Sequence, residues 1–337
     1  MHLTNLQIQL AARPIGFPKL TDFQAVETAN PVPGDGEVLL ETLWLSVDPY
    51  MRGRMSDAKS YAEPVKLGEV MVGGTVNRVV ESKADGFKAG DIVAGFSGWQ
   101  RYAIGNPKQL RKLDPAVGPI STALGVVGMP GLTAYFGLLD VCDPKAGETV
   151  VVSGAAGAVG SIVGQIAKIK GCRVVGIAGT DEKVKWLVEE VGFDAAYNYK
   201  DTSNHLAKLR QLCPNGLDVY FDNVGGVITD AAMIHMNVHA RVAICGQISQ
   251  YNLEQPEMGP RMLGMLIVKR AKVQGLLVTD YMARWGEGTK ELGGWLKSGK
   301  LKYEETIVDG LEKAPEAFLA MLRGENTGKM LVRVEGN

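Results

Sequence analysis

Short apolar runs separated by helix-length spans recur through the middle of the chain. Val150-Val151-Val152, Arg173-Val174-Val175-Gly176-Ile177, Ala195-Ala196-Tyr197-Asn198-Tyr199, Asp218-Val219-Tyr220-Phe221-Asp222, Ala240-Arg241-Val242-Ala243-Ile244-Cys245 and Val273-Gln274-Gly275-Leu276-Leu277-Val278 read as six strands. Helical spans follow the first three, at 161–168, 181–187 and from Ser203 to Leu212. Runs so continuously apolar suit strands covered on both faces, the condition of a parallel sheet. Six such strands alternating with helices predict a doubly wound α/β domain.

The first third is different. Glu37-Val38-Leu39-Leu40-Glu41-Thr42-Leu43-Trp44-Leu45 and Gly90-Asp91-Ile92-Val93-Ala94 are strand-like, and Pro31, Pro33, Gly34, Gly36, Gly73, Gly74 and Gly105 punctuate the stretch. Beyond residue 300 the strand–helix repeat stops, and Tyr303-Glu304-Glu305-Thr306-Ile307-Val308 and Lys329-Met330-Leu331-Val332-Arg333-Val334 are expected to return to the first domain. The expected domains are therefore 1–125 completed by 301–337, and 126–300. No repeat of fixed period and no low-complexity segment occurs.

With 337 residues, 46% of them hydrophobic, the chain exceeds one ordinary core and can fill two. Thirty-six basic residues against 37 acidic ones leave no field to draw nucleic acid or an anionic membrane. The first residues lack the basic region and apolar core of a signal peptide. Glycines interrupt the uncharged stretches 118–139 and 149–167, and Pro130 splits the first, which favours strand–turn–helix over a membrane span. Cys142, Cys172, Cys213 and Cys245 form no C-x-x-C pair, as expected of reduced thiols in the cytoplasm. His235 and His239 stand four apart, but Met236 occupies the glutamate position of H-E-x-x-H and no third ligand is evident, so they read as solvent-facing histidines near a helix end.

The main chemical signal follows the first apolar run. Gly154, Gly157 and Gly160 give G-x-x-G-x-x-G, with Ala156 in the middle glycine position of G-x-G-x-x-G. Such a turn, opening the helix that starts near Ser161, exposes backbone N–H groups and aims the positive end of the helix dipole at a pyrophosphate. A strand and helix packed through small residues would look the same in isolation; the strand–helix repeats downstream favour a dinucleotide site. About twenty residues on, where an NAD enzyme carries an acidic ribose ligand, stand Gly179 and Thr180. That leaves room for a 2′-phosphate, for which Lys183 supplies a cation. Asp181 stays open as a ribose ligand, and Lys183 as a solvated lysine on the helix face.

At this point the chain resembles a known family, the medium-chain dehydrogenases/reductases, over essentially its whole length. Gly90-Asp91-Ile92-Val93, Gly131-Leu132-Thr133-Ala134-Tyr135 and Ala155-Ala156-Gly157-Ala158-Val159-Gly160 are the markers. The zinc-free group of prostaglandin, alkenal double-bond and curcumin reductases is the most similar part of it. The resemblance lies in Val47-Asp48-Pro49-Tyr50-Met51-Arg52-Gly53-Arg54-Met55, Phe221-Asp222-Asn223-Val224-Gly225-Gly226, Cys245-Gly246-Gln247-Ile248-Ser249-Gln250-Tyr251-Asn252 and Asn326-Thr327-Gly328-Lys329. Zinc-dependent relatives carry a cysteine ligand near Ser46-Val47-Asp48-Pro49, a Gly-His-Glu where this chain has Gly68-Glu69-Val70, and a four-cysteine lobe absent here. Without those thiolate and imidazole ligands no zinc site is expected.

The resemblance implies a Rossmann domain beside a β-rich, GroES-like catalytic domain, NADP(H) as cofactor and a homodimer. It places Gly157, Ala158, Val159 and Gly160 on the pyrophosphate, and Gly179, Lys183 and Tyr199 at the adenosine phosphate. Asn223 falls near the ribose, and Cys245, Gly246, Ile248, Ser249 and Tyr251 along the nicotinamide side. Leu277 and Val278 lie beside the ring, Met129 and Thr133 under it, and Asn326 comes from the returning segment.

The implied reaction is reduction of a carbon–carbon double bond conjugated to a ketone or aldehyde, in a small enone or enal substrate. Hydride adds β to the carbonyl, and the enolate oxygen needs a donor: a tyrosine hydroxyl, the ribose hydroxyl or water. Tyr50, in the loop replacing the zinc-ligand region, and Tyr251, after the fifth strand, are the candidates, both expected at the cleft between the domains. Either ring could instead merely line an apolar pocket. Arg52 and Arg54 would steer an acidic substrate or anchor the loop. A quinone reductase on the same fold and a non-catalytic NADPH-binding protein are the competing readings; the Tyr50 loop favours the double-bond reductase.

Overall fold

The computed structural model describes residues 4–334. Two units divide the chain, one running to Gly125 and resuming at Glu305, the other spanning Val126–Glu304.

In the second unit the apolar runs form β1 (Thr149–Ser153), β2 (Arg173–Ala178), β3 (Ala195–Asn198), β4 (Leu217–Asp222), β5 (Met236–Ile244) and β6 (Lys272–Gly275). All neighbours are parallel, in the order β3-β2-β1-β4-β5-β6. This is the doubly wound order, which reverses direction at β1 and opens a crevice beyond the carboxyl ends of β1 and β4. Strand periodicity explains the double coverage. Val150, Val152, Val174, Val219 and Phe221 join the core on one face, and the alternating Val151, Val175, Ile177, Tyr220 and Val242 join that on the other. The helices α1 (Gly160–Ile169), α2 (Asp181–Glu189), α3 (His205–Leu212), α4 (Gly226–His235) and α5 (Leu263–Lys269) occupy the connections.

Two strands differ from their sequence-based limits by more than one residue at an end. β5 starts at Met236, because a register shift against β4 and the left-handed backbone of His239 (φ 66°) extend pairing across a bulge. β6 ends at Gly275: Leu276 turns its side chain onto Gly137 and Phe221, and a 3₁₀ segment begins at Val278. Leu301 belongs to this unit's core, and Lys302 exchanges backbone hydrogen bonds with the Gln165 amide at 2.7 and 2.9 Å, so the second unit runs on to residue 304.

In the first unit strands at 305–309, 329–333, 38–46, 75–82, 92–95 and 111–113 form one sheet in that order, with 102–105 paired to 38–46. The strand Lys329–Arg333 is antiparallel to Val38–Ser46, so the end of the chain completes the first sheet. Trp99 stacks on Phe23 (centroids 5.6 Å apart) and meets Phe318 edge-on in its core. Among the described residues, no helix is long and apolar enough to cross a membrane.

Candidate active site

The glycine turn shows why its residues are small. Gly154 has φ 58°, a conformation that costs glycine nothing. A Cβ on Gly160 would lie 2.4 Å from the Gly154 carbonyl oxygen and 2.8 Å from the Cα of Ala155, so only glycine lets α1 start this close to β1. Ala156, in place of the fingerprint's middle glycine, is buried in the core, which explains the departure. Ser161 bonds back to the Gly157 carbonyl through its N–H (3.1 Å) and its hydroxyl (2.9 Å). Gly157, Ala158 and Val159 are half-buried at the mouth of this turn; Gly157 spends its N–H on the Gly154 carbonyl (3.1 Å), and a pyrophosphate would meet the N–H groups of Ala158 and Val159 and the start of the ten-residue helix α1.

At the end of β2, Gly179 packs under the Tyr199 ring, where a Cβ would come within 3.0 Å of Cε1. Thr180 caps α2 by accepting the Lys183 N–H (3.3 Å). The Lys183 ammonium is pulled below the usual lysine range by desolvation and by the neighbouring Lys200, whose Nζ sits 5.9 Å from the Tyr199 centroid. Asp181 is exposed and accepts the Asn198 side-chain amide at 3.1 Å. Two ammonium groups held close enough to repel each other suit a dianion, and this cradle fits a 2′-phosphate better than a bare ribose hydroxyl.

The carboxyl end of β4 is organised by Asp222, which is fully buried. Its Oδ1 accepts Ser153 Oγ (3.0 Å), Tyr220 Oη (3.1 Å) and the N–H groups of Val224 and Gly225 (2.9 Å each), and its Oδ2 accepts Thr229 Oγ1 (2.7 Å). Its carbonyl oxygen also takes the N–H groups of Cys245 (2.8 Å) and Gly246 (3.1 Å), binding the end of β5 to that of β4. Asn223 donates its side-chain amide to Ser153 O at 2.7 Å. The turn after β5 folds onto this platform: Ile248 N donates to Asn223 O, Ser249 donates to Val224 O through both N–H and hydroxyl, and the Tyr251 hydroxyl accepts Gln247 N at 3.1 Å. Asn223, Cys245, Gly246, Ile248, Ser249 and Tyr251 are thus brought together. Burial and Asp222 push the Cys245 thiol up to about 12.

Met129 opens the helix Met129–Phe136, where Thr133 spends its hydroxyl on the Met129 carbonyl (2.8 Å). Leu277 and the buried Val278 lead the 3₁₀ segment Val278–Arg284, which packs on that helix through stacked Tyr281 and Phe136 (4.7 Å).

Tyr50 and Asn326 belong to the first unit. Tyr50 is the first residue of a short helix, Tyr50–Arg54, and its hydroxyl oxygen is buried without a hydrogen-bond partner among the described residues. Desolvation, then Asp48, push its ionisation far above the ordinary tyrosine value, so it stays protonated. Arg52 is buried and donates to Gly16 O at 2.9 Å, which makes it an anchor of this loop. Asn326 donates its amide to Gly328 O at 2.8 Å. At the positions where zinc ligands were considered, Ser46 donates a short hydrogen bond to the Asp48 carboxylate. Among the described residues no three His, Cys, Asp or Glu side chains group to hold a metal ion.

Residues 6–113 match the family model described as N-terminal domain of oxidoreductase, and residues 158–292 match that of zinc-binding dehydrogenase. NADPH-dependent curcumin reductase of Escherichia coli (strain K12) is 48% identical over 335 residues, 97% of this chain and 96% of its own. Prostaglandin reductase 1 of Rattus norvegicus is 47% identical, covering 94% of this chain and 95% of its own. The crystal structure of CurA from Vibrio vulnificus in complex with NADPH superposes with a TM-score of 0.94 at 48% identity, over 98% of this chain and 100% of that one. The chain belongs to the zinc-independent medium-chain dehydrogenases/reductases.

Within this family member, three groups that shape the site escaped the motif reading. Lys200 lay one residue past Tyr199, and a second cation beside Lys183 was the available signal. Asp222 stood inside a quoted motif, but its role as acceptor depends on Ser153, far away in sequence. Lys329 also stood inside a quoted motif, but nothing in the sequence marks that its side chain is only 4% exposed.

Proposed function

We propose that this enzyme uses NADPH to reduce the carbon–carbon double bond of α,β-unsaturated ketones and aldehydes. The observation that carries this reading is a tyrosine hydroxyl, that of Tyr50, kept protonated, buried and unpartnered on the loop where zinc-dependent relatives hold their metal. A buried hydroxyl without a partner is costly, and a carbonyl oxygen gaining negative charge is the acceptor that would satisfy it. The names of the relatives agree, since curcumin is itself a conjugated enone.

NADPH, when bound, supplies the hydride for the carbon β to the carbonyl. The chain's own residues do the rest. Ala158, Val159 and Gly160 offer N–H groups to the pyrophosphate, which Gly157, its own N–H spent on the Gly154 carbonyl, lets approach; Lys183 and Lys200 with Tyr199 and Gly179 hold the 2′-phosphate, and Asn223 orients the ribose. Cys245, Gly246, Ile248, Ser249, Leu277, Val278, Met129, Thr133 and Asn326 border the nicotinamide. Tyr50 donates to the substrate oxygen. Tyr251, whose hydroxyl stands on the turn after β5 and accepts Gln247 N, is the second tyrosine we assign to the substrate side. A cytoplasmic homodimer completes the reading: the four free cysteines suit a reducing compartment, and the exposed β6 edge, next to Ile267 and Val268 (81% and 61% exposed), suits pairing with a second copy.

Consumption of NADPH, followed by absorbance with an enone, with a quinone and with no acceptor, tests the proposal. Rapid turnover of the enone alone is expected, with a Tyr50→Phe variant slower by about tenfold or more at unchanged NADPH affinity. Turnover of quinones in preference to enones, or of neither, would overturn it.

A further inference from the structure

Lys329 opens the strand that returns to the first unit, and its ammonium is enclosed. It donates to the carbonyl oxygens of Val47 (2.7 Å) and Met330 (2.8 Å), and Asp48 Oδ1 lies 3.2 Å away. Three protons thus meet three acceptors, with the lysine and aspartate side chains only 4% and 8% exposed. A well-packed apolar pair would hold two strands equally firmly, so what the buried ion pair adds is a fixed geometry.

That geometry leads to Tyr50. Asp48 is gripped on its second oxygen by Ser46, and its carbonyl accepts the N–H of Met51, which starts the helix carrying Tyr50. Pro49, with φ −59°, is a stiff link between Asp48 and Tyr50. On its other side Lys329 follows Gly328, the acceptor of the Asn326 amide. One ammonium therefore ties the Tyr50 loop to the Asn326 turn.

We propose that Lys329 is a positioning residue, which holds the Val47–Asp48 segment so that the Tyr50 hydroxyl stays free for the substrate oxygen. The inference rests on the role of Tyr50 proposed above. Without the ammonium, Asp48 becomes an uncompensated buried carboxylate close to that hydroxyl, which raises the tyrosine's proton affinity further and offers it a competing acceptor.

The test compares the full-length wild type with Lys329→Met, Tyr50→Phe and the double variant, measuring kcat and KM with NADPH and an enone, and NADPH affinity by fluorescence titration. Lys329→Met is expected to lower kcat by about tenfold or more with NADPH affinity held within about twofold, and to cost less than about threefold in the Tyr50→Phe background, because both act through one hydroxyl. An equal loss in both backgrounds, unchanged kcat, or a matching loss of NADPH affinity would overturn the inference while leaving Tyr50's role standing. Full activity of Tyr50→Phe would instead remove that role and the inference with it. Should Lys329→Met fail to fold, Ser46→Ala, which takes one hydrogen bond from Asp48, carries the same comparison: a loss of about threefold confined to the Tyr50 background supports the inference, and an equal loss or none in both overturns it.

Discussion

Replacing Asp222 with alanine probes the platform under the proposed dinucleotide site. Five donors converge on this carboxylate, and they are not equivalent. The three hydroxyls can turn: those of Tyr220 and Thr229 already stand 3.3 Å apart, and Ser153 Oγ keeps its bond from Asn223 N. The N–H groups of Val224 and Gly225 cannot, because the backbone fixes their direction. Two buried amides without an acceptor, at roughly 1.5–3 kcal/mol each for a bond to a charged group, give an expected loss of about 4 kcal/mol. Asp222→Asn keeps an oxygen for both amides and lets Thr229 become the acceptor, so its expected loss is about 1–2 kcal/mol. Denaturant unfolding followed by tryptophan fluorescence measures both. Because the carboxylate also fixes the Val224–Gly225 turn, which follows Asn223 and on which Ser249 docks, NADPH affinity is expected to fall about tenfold in the alanine variant, equivalent to about 1.4 kcal/mol. A stability loss below about 1 kcal/mol for Asp222→Ala would show that water or a backbone shift satisfies the two amides, refuting the argument.

Gly160→Ala should destabilise the enzyme by about 2 kcal/mol and weaken NADPH binding, since the added methyl meets backbone rather than a yielding side chain; an unchanged melting temperature would contradict this. Lys183→Met should weaken NADPH about tenfold while sparing NADH, in paired fluorescence titrations. Lys183 is protonated below its lowered pKa, so wild-type NADPH affinity should decline as pH rises through it, earlier than an ordinary lysine would allow, and this alkaline limb should flatten in the variant. Burial pushes the thiols of Cys142 and Cys245 to about 12 and those of Cys172 and Cys213 to about 11. A thiol-exchange reagent near neutral pH should therefore react slowly with the native enzyme and with all four thiols after denaturation; rapid native labelling of the half-buried Cys245 would contradict its raised thiol pKa.

The doubly wound domain was legible from local pattern because strand periodicity and apolar runs are local properties, and the order of its strands follows from connection rules that hold for any alternating chain. Gly160 was legible for a related reason: a position whose Cβ would strike backbone admits only glycine, and the glycine itself is the mark. The residues of the quoted motifs could likewise be named one by one. Whether a side chain is spent or available was a different matter. That Asp222 binds two strand ends, that Lys200 stands beside Lys183, that Tyr251 accepts Gln247 N while the Tyr50 hydroxyl has no partner among the described residues, and that Lys329 is enclosed by Val47 and Asp48 all depend on partners far away in the chain or on the path of a turn. Only the tertiary structure decided these, because hydrogen bonding and desolvation act through space over a few ångströms, whatever the separation along the sequence.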